Sequence, residues 1–258
     1  MAGLVPLRLE THLSALAERR AEAQARAGIL QGELGTESVL QLVQRGGYEA
    51  FMISELLASG DGLDGIFADW QTRGSSTYHE LLESQVRDLG VGLAERDGTT
   101  FVALFLGLSW TDYFTDRTRG LADLELVRRQ MLQRVNDERR TAGRPPLVLE
   151  PRLVQCAQRY ADLMLARSHY GHRGPDGDTI RERAERAGYD KYLALGENLA
   201  QGQYSVQEVM DGWMQSPGHR ENLLSPGFRD VGFGLAYGHN GNGWQVLWVQ
   251  CLGEPRRQ

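Results

Sequence analysis

Apolar residues recur at helical spacing in the middle of the chain. Leu124, Val127, Met131 and Val135 lie three or four positions apart, which predicts an amphipathic helix over about 122–140. Three more helices are predicted downstream: one that begins at Pro151, one over about 180–187, and one that begins at Ser205 with Glu208 as its capping partner.

The end of the chain has the alternation of a β-hairpin. Val231, Phe233, Leu235 and Tyr237 alternate with small or polar residues, and the run 244–252 that follows is apolar on both faces. Such a run is typical of a central strand in a sheet. Helices followed by strands predict an α+β domain in which helices cover a small sheet.

The first half of the chain repeats the second half at a distance of roughly 140 residues, which is the size of a whole domain. The repeated segments pair Gly47-Tyr48 with Gly188-Tyr189, Glu55 with Glu197, Trp70 with Trp213, and 87–93 with 229–235. The same order of elements is therefore predicted there, with helices over about 9–27 and 62–72 and strands over about 89–94 and 99–106.

The repeat predicts two tandem domains. We assign residues 1–108 to the first copy, 109–121 to a linker and 122–258 to the second copy. The first copy has no counterpart of the helix at about 122–140. We therefore expect either that the native protein extends upstream, so that the chain is truncated at its N-terminus, or that this copy has shed a helix. Because the linker is short, the copies are expected to pack as an internal pseudo-dimer.

Composition places only broad limits on the class of protein and on its partners. The chain has 41% hydrophobic and 24% charged residues, which is ordinary for a globular protein. A net charge of -6 gives no reason to expect a nucleic-acid partner. No apolar run reaches the length of a transmembrane segment, and residues 1–10 lack the basic start and the long apolar stretch of a signal peptide.

The two cysteines lie in different predicted elements, Cys156 in a helix and Cys251 in a strand. Their counterparts in the first copy, Leu16 and Phe105, are both apolar. This pattern favours two buried thiols in the core. A disulfide stays open as the alternative if the two residues face each other across one core.

Four motifs occur in order in the second copy. They are Asn136 through Arg139 to Ala142-Gly143 and Pro146-Leu147; His172 with Asp176-Gly177; Gly196-Glu197-Asn198-Leu199-Ala200; and the run from Trp213 through His219-Arg220-Glu221-Asn222 to Leu224. Together they resemble the cysteine-rich secretory proteins, antigen 5 and plant pathogenesis-related proteins. This is the CAP superfamily with its SCP-like domain, and the last motif is similar to that of its bacterial branch. The first copy resembles the family only at positions that carry the fold.

The resemblance implies two tandem α-β-α sandwich domains, a cleft lined by histidines and glutamates, and an extracellular or cell-envelope setting. It implies no single reaction, because members have been associated with sterol or lipid binding, peptidase-like activity, metal binding and cell-wall biology. The chain departs from the animal and plant pattern in two respects. It has two cysteines and so lacks their framework of several disulfides, and Met214 and Gln215 occupy the region of their second glutamate.

His172, His219 and Glu197 are the main candidates for chemistry, with Asn198 and Glu221 as further cleft residues. Two neutral imidazoles and a carboxylate can hold Zn²⁺ or another divalent metal and leave a position open for water. Glu197 and Glu221 are the candidates for a catalytic role. The alternative is that the same groups hydrogen-bond to loop backbone and hold the cleft together.

Other polar residues are expected to have structural or solvent-exposed positions and no role in chemistry. Asn198 and Asn222 are expected to fix turns or helix ends rather than to contact a substrate. The segments Glu18-Arg19-Arg20 and Glu182-Arg183 are predicted to be solvated helix faces.

The first copy lacks the two histidines. Gln31 stands opposite His172, while Ser75, Ser76 and Tyr78 lie near the place of His219, with His79 out of register. Glu55 nevertheless matches Glu197. Its retention without the histidines suggests that this glutamate has a structural role in both copies.

We therefore expect a secreted or cell-envelope protein with a binding or interaction role, whose partner is an envelope component, a lipid or another protein. Two alternatives stay open. A metal-assisted hydrolase would act on peptide, ester or cell-wall bonds and needs an open metal position with a nearby base. A lipid or sterol carrier needs a continuous apolar groove.

Overall fold

The structure is a computed structural model that describes residues 5–30, 38–72, 76–83 and 85–256. Contacts divide the chain into two units, Met1–Asp116 and Arg117–Gln258. The division falls inside the segment 109–121 that the sequence predicts to be a linker, and much of that segment is helical. In the described part of the chain, every helix is too short or too polar to span a bilayer.

The first unit is built around one four-stranded sheet with the strand order β1-β3-β4-β2. Its elements in chain order are β1 (Arg8–Leu9), α1 (Thr11–Ala27), α2 (Val39–Arg45), β2 (Ala50–Gly60), α3 (Leu63–Trp70), α4 (Ser76–Leu81), β3 (Asp88–Arg96), β4 (Thr99–Ser109) and α5 (Trp110–Thr118), which continues past the division. One face of the sheet packs against α1 and α2, and the other packs against α3. The unit is therefore layered, with helices on both faces.

The second unit has the equivalent strand order, β5-β7-β8-β6. A short 3-10 helix (Arg119–Leu121) leads to α6 (Leu124–Thr141), β5 (Val148–Leu149), α7 (Pro151–Ala166), α8 (Ile180–Arg186), β6 (Tyr192–Gln201), α9 (Val206–Gln215), α10 (Pro217–Leu224), β7 (Asp230–Asn240) and β8 (Gly243–Pro255). In both units the first short strand pairs in parallel with the third, and the remaining pairs are antiparallel. The predicted α+β class is confirmed, and β8 is central in its sheet as expected.

A tyrosine–aspartate hydrogen bond recurs at the same place in both units. The Tyr48 hydroxyl donates to Asp88 Oδ2 at 2.9 Å, and the Tyr189 hydroxyl donates to Asp230 Oδ2 at 2.8 Å. Burial and the bond to the carboxylate raise the pKa of each tyrosine. In each unit the aspartate is the first residue of a strand, β3 or β7, and the tyrosine lies just before the edge strand, β2 or β6. The bond therefore connects the start of the one strand to the segment that leads into the other.

In the second unit, α7 lies directly on the backbone of β7. A Cβ atom on Gly232 would lie 2.0 Å from the carbonyl carbon of Leu153, and one on Gly234 would lie 2.2 Å from the carbonyl oxygen of Ala157. Glycine is therefore required because the helix backbone occupies the space of a side chain. In the first unit, Gly92 of β3 lies equally close to α1.

The other face of the second sheet is held by α6. Asn136 and Leu147 exchange two hydrogen bonds, at 3.0 and 2.7 Å. Arg139 is fully buried and donates to the carbonyl groups of Pro145, Leu223, Ser225 and Phe228. Burial, with the charges of Arg229 and Arg144, lowers the pKa of Arg139 to about 10. One side chain therefore fixes the C-terminal end of α10.

We predict that Gly232→Ala will destabilise the second unit by about 1–3 kcal/mol or more, because the added methyl group overlaps the backbone of α7. The matched control is Gly212→Ala in α9, where a Cβ meets nothing within 4 Å. That substitution should stabilise by about 0.5–1 kcal/mol through helix propensity. Urea unfolding of both variants measures the difference, and equal stabilities would contradict the close packing.

Candidate functional site

The centre of the site is the carboxylate of Glu197, in the edge strand β6. Its side chain is only 3% exposed. Oε1 lies 2.9 Å from His172 Nδ1, and Oε2 accepts a hydrogen bond of 2.7 Å from Arg183 Nη2. Glu197 lies opposite Cys251 in the neighbouring β8, so its side chain is on the sheet face that packs against α7.

Arg183 holds both the carboxylate and the loop that carries His172. Its Nη2 donates to the His172 carbonyl at 3.1 Å as well as to Glu197. The guanidinium group lies 3.5 Å from the ring centroid of Tyr160, a cation–π contact. Burial acts to lower the pKa of Arg183, but the charge of Glu197 and the hydrogen bond to it raise this pKa above its ordinary value. The Arg183 guanidinium is therefore held charged and buried beside the carboxylate of Glu197.

The opposite face of β6 carries a network of amides. Asn198 is fully buried and donates from Nδ2 to the His219 carbonyl at 3.1 Å and to Gln250 Oε1 at 2.8 Å. Asn222 donates to Asn198 Oδ1 at 2.9 Å and to the Glu197 carbonyl at 3.2 Å. These bonds attach α10 to the edge strand, as expected for asparagines that fix helix ends.

His172 and His219 approach the edge strand from opposite sides. The His172 side chain is 62% exposed. Because its Nδ1 contacts Glu197, its other ring nitrogen, Nε2, is on the outward side. His219 lies on α10 and is half-buried. Burial, and then the charge of His172, lower the pKa of His219.

Glu221 is not brought into this group. It is exposed. Because it lies two residues after His219 in α10, its side chain is about 200° around the helix axis from that of His219. Within the described residues, no set of three or more His, Cys, Asp or Glu side chains is arranged to hold a metal ion. Glu197, with both oxygens engaged, would orient His172 from behind.

The first unit has a corresponding buried ion pair, in which the arginine comes from a different helix. Glu55 of β2 is paired with Arg20 of α1, with Nε–Oε1 at 2.7 Å and Nη2–Oε2 at 3.0 Å. Arg20 occupies the helix position that corresponds to Tyr160 in α7. Gln31 and Ser75 lie outside the described residues, while Ser76, Tyr78 and His79 belong to α4.

The prediction that Arg20 and Arg183 lie on solvated helix faces is wrong, because their side chains are 2% and 5% exposed. The charge pattern alone cannot reveal this, since both arginines stand among other charged residues, in Glu18-Arg19-Arg20 and in Glu182-Arg183. The retained glutamates were the available signal. A carboxylate retained within an apolar strand calls for a buried cation.

We predict that Arg183→Ala will destabilise the second unit by about 3–5 kcal/mol, because it leaves the Glu197 carboxylate buried and uncompensated. Arg181→Ala, an exposed position on the same helix, serves as the control and should change stability by less than about 0.5 kcal/mol. Denaturant unfolding measures both. Equal effects would mean that the ion pair has no structural role, whereas partial recovery in Arg183→Met/Glu197→Gln would support it.

We predict that His219 titrates below the ordinary histidine value, because burial and the nearby His172 charge both disfavour its protonated form. Its contribution to stability is then full above pH ~6.5 and is lost as the pH falls below that value. His172→Ala removes the second cause, so the pKa of His219 should rise part of the way back. Histidine NMR titrations measure the shift, with His239→Ala at the exposed hairpin tip as a control that leaves it unchanged.

Comparison with known proteins identifies proteins that are similar to part of the chain. Residues 132–252 match the model of the CAP family, described as the cysteine-rich secretory protein family. The Bacillus subtilis (strain 168) protein YkwD, described as uncharacterized, is 29% identical over 132 residues, which are 51% of this chain and 50% of that protein. The chain therefore spans about half the length of this curated relative.

Two solved structures are similar at low sequence identity. An outer surface protein from Borrelia burgdorferi has 20% identity and a TM-score of 0.42, with 49% of this chain and 90% of that chain covered. An extracellular protein containing a SCP domain, from Bacillus anthracis str. Ames, has 17% identity and a TM-score of 0.45, with 65% and 60% covered. The family model and the Bacillus subtilis relative support a CAP-type domain in this chain, and the family model locates it at residues 132–252.

Proposed function

We propose that this chain is an extracellular or cell-envelope protein with a binding role, and that the second unit binds its ligand around His172 and His219. The extracellular setting is supported by the secretory description of the family that residues 132–252 match. The binding site is supported by the exposed imidazole of His172, by the bond from Asn198 to the His219 carbonyl that holds α10 against β6, and by the lowered pKa of His219, to which the charge of His172 contributes.

The observation that carries the proposal is the full engagement of Glu197. Its two oxygens contact His172 and Arg183, at 2.9 and 2.7 Å. A carboxylate held in this way cannot act as a free base or as a nucleophile without breaking a buried ion pair. It can, however, fix the orientation of His172 and leave Nε2 as a lone-pair donor on the outward side, which is the arrangement found behind histidines that bind metals.

A divalent metal such as Zn²⁺ fits two imidazoles of this kind, with water in the remaining positions. Neutral imidazole is the binding form, and the lowered pKa of His219 favours that form at neutral pH. Since fewer than three protein ligands are available among the described residues, the expected affinity is that of a weak or exchangeable site.

A metal-assisted hydrolase is the second candidate. The observation that favours it is the contact between His172 and Glu197, since imidazole–carboxylate pairs also serve general-base catalysis. The position of Glu221, exposed and turned away from His219 on α10, speaks against the simplest version, in which Glu221 is the base. A lipid carrier has less support. The cavity of about 550 Å³ beside the start of β6 and the end of β8 has Arg229, Glu254 and Arg256 in its lining.

The test is a calorimetric titration of the full chain with Zn²⁺ at pH 7.5 and pH 5.5. We expect binding at pH 7.5 that is lost at pH 5.5, because protonated imidazoles cannot coordinate a metal. His172→Ala and His219→Ala should each weaken the binding by about 10-fold or more. The control His239→Ala removes an exposed histidine of the same unit and should leave the affinity unchanged.

Two outcomes would contradict metal binding at this site. One is the absence of heat at both pH values. The other is undiminished binding by the His172→Ala/His219→Ala double variant. A hydrolase would be indicated only if cleavage of peptide, ester or cell-wall substrates by the wild-type chain depended on the added metal and was lost in the double variant.

A further inference from the structure

The two cysteines of the second unit meet in its core, directly beneath the candidate site. The thiol of Cys251 in β8 donates to the sulfur of Cys156 in α7, with the two sulfur atoms 3.7 Å apart. Both residues are buried, at 2% and 0% exposure, and both are free thiols in this structure. The chain has two cysteines in all, so this is the one intramolecular pair that it can form.

We propose that Cys156 and Cys251 are a redox-active pair that closes to a disulfide between α7 and β8 when the chain folds in an oxidising compartment. The sulfur atoms must approach from 3.7 Å to about 2.05 Å, which side-chain rotation between a packed helix and a strand can provide. The proposal rests on the proposed extracellular function in one respect only, which is that an extracellular setting supplies the oxidant.

The chemistry is a thiol–disulfide exchange with a small or protein disulfide as the oxidant. The thiolate of one cysteine attacks that disulfide, forms a mixed disulfide and releases one thiol. The thiolate of the other cysteine then attacks the protein sulfur of the mixed disulfide and displaces the second thiol. Two electrons and two protons pass from the cysteine pair to the oxidant, so one disulfide is formed and one is reduced.

In the closed fold, the two thiols differ in acidity. The bond from Cys251 lowers the pKa of Cys156, and the nearby charge of Arg183 acts in the same direction. The bond to Cys156, together with burial, raises the pKa of Cys251. Because both sulfurs are buried in the finished fold, exchange takes place before α7 closes over β8, and the completed disulfide is then shielded from reductants.

The disulfide would join the two elements that support the site. Cys156 lies one helical turn before Tyr160, whose ring supports the guanidinium of Arg183. Cys251 lies opposite Glu197 in the β6–β8 register. A covalent bond at this point would hold α7 and the sheet together behind the buried ion pair. The first unit, with Leu16 and Phe105 at these positions, has no such option.

The test uses the full chain, unfolded and reduced, then refolded in oxidised glutathione or in dithiothreitol. Both samples are unfolded again and treated with iodoacetamide. We expect the glutathione sample to take up no alkyl group, to be about 2 Da lighter than the reduced chain, and to yield one cross-linked peptide that joins Cys156 to Cys251. Its Tm should exceed that of the reduced sample by roughly 5–15 °C, since the bridge closes a long loop.

The variants Cys156→Ala and Cys251→Ala are the controls for the shift in Tm. Each should melt at the same temperature in both redox conditions. Alkylation of both cysteines in the wild-type glutathione sample, or disulfides only between chains, would overturn the proposal. These readouts need neither His172 nor His219, so a failure of Zn²⁺ binding and a failure of disulfide formation are distinguishable.

Discussion

The need to neutralise one buried carboxylate shapes both units of this chain. A glutamate in the edge strand faces the helix layer, where an isolated charge would be unstable, and each unit supplies a buried arginine to it. The first unit takes Arg20 from the covering helix itself. In the second, Tyr160 stands at that position, and Arg183 reaches the carboxylate from α8 across its ring. Arg183 also binds the backbone of His172 and so orders the loop that carries this histidine.

The second histidine depends on a different set of contacts. The backbone of α10 is fixed to β6 through Asn198 and Asn222, and its C-terminal end is fixed by Arg139 of α6. Removing any of these buried donors would leave carbonyl groups without partners, which is costly in a low-dielectric interior. His219 is therefore held by amides and by an arginine, and His172 by an ion pair. The two histidines are thus held from the two sides of one edge strand by separate sets of contacts.

The sequence predicts the regular elements well where the hydrophobic period is long. The helix at 122–140 and the hairpin at the C-terminal end are found as α6 and as β7 with β8. The edge strand β6 was not predicted, since its glutamate and asparagine interrupt the apolar pattern and each is satisfied by partners far along the chain. Arg183 and Arg20 were misjudged for the same reason. Burial of a charge depends on a partner that local sequence does not reveal, whereas the retained glutamates did indicate that a structural partner exists.

The charge balance of the site also bears on what it can do. Without Arg183, the negative charge of Glu197 would act on His172 alone, as in a catalytic histidine–carboxylate pair. Arg183 already compensates this charge. What remains for His172 is a hydrogen-bond acceptor that fixes the ring and its tautomer. An imidazole fixed in this way can present the lone pair of its Nε2 to a ligand. The arginine that stabilises the fold is therefore also the physical reason to favour binding over hydrolysis.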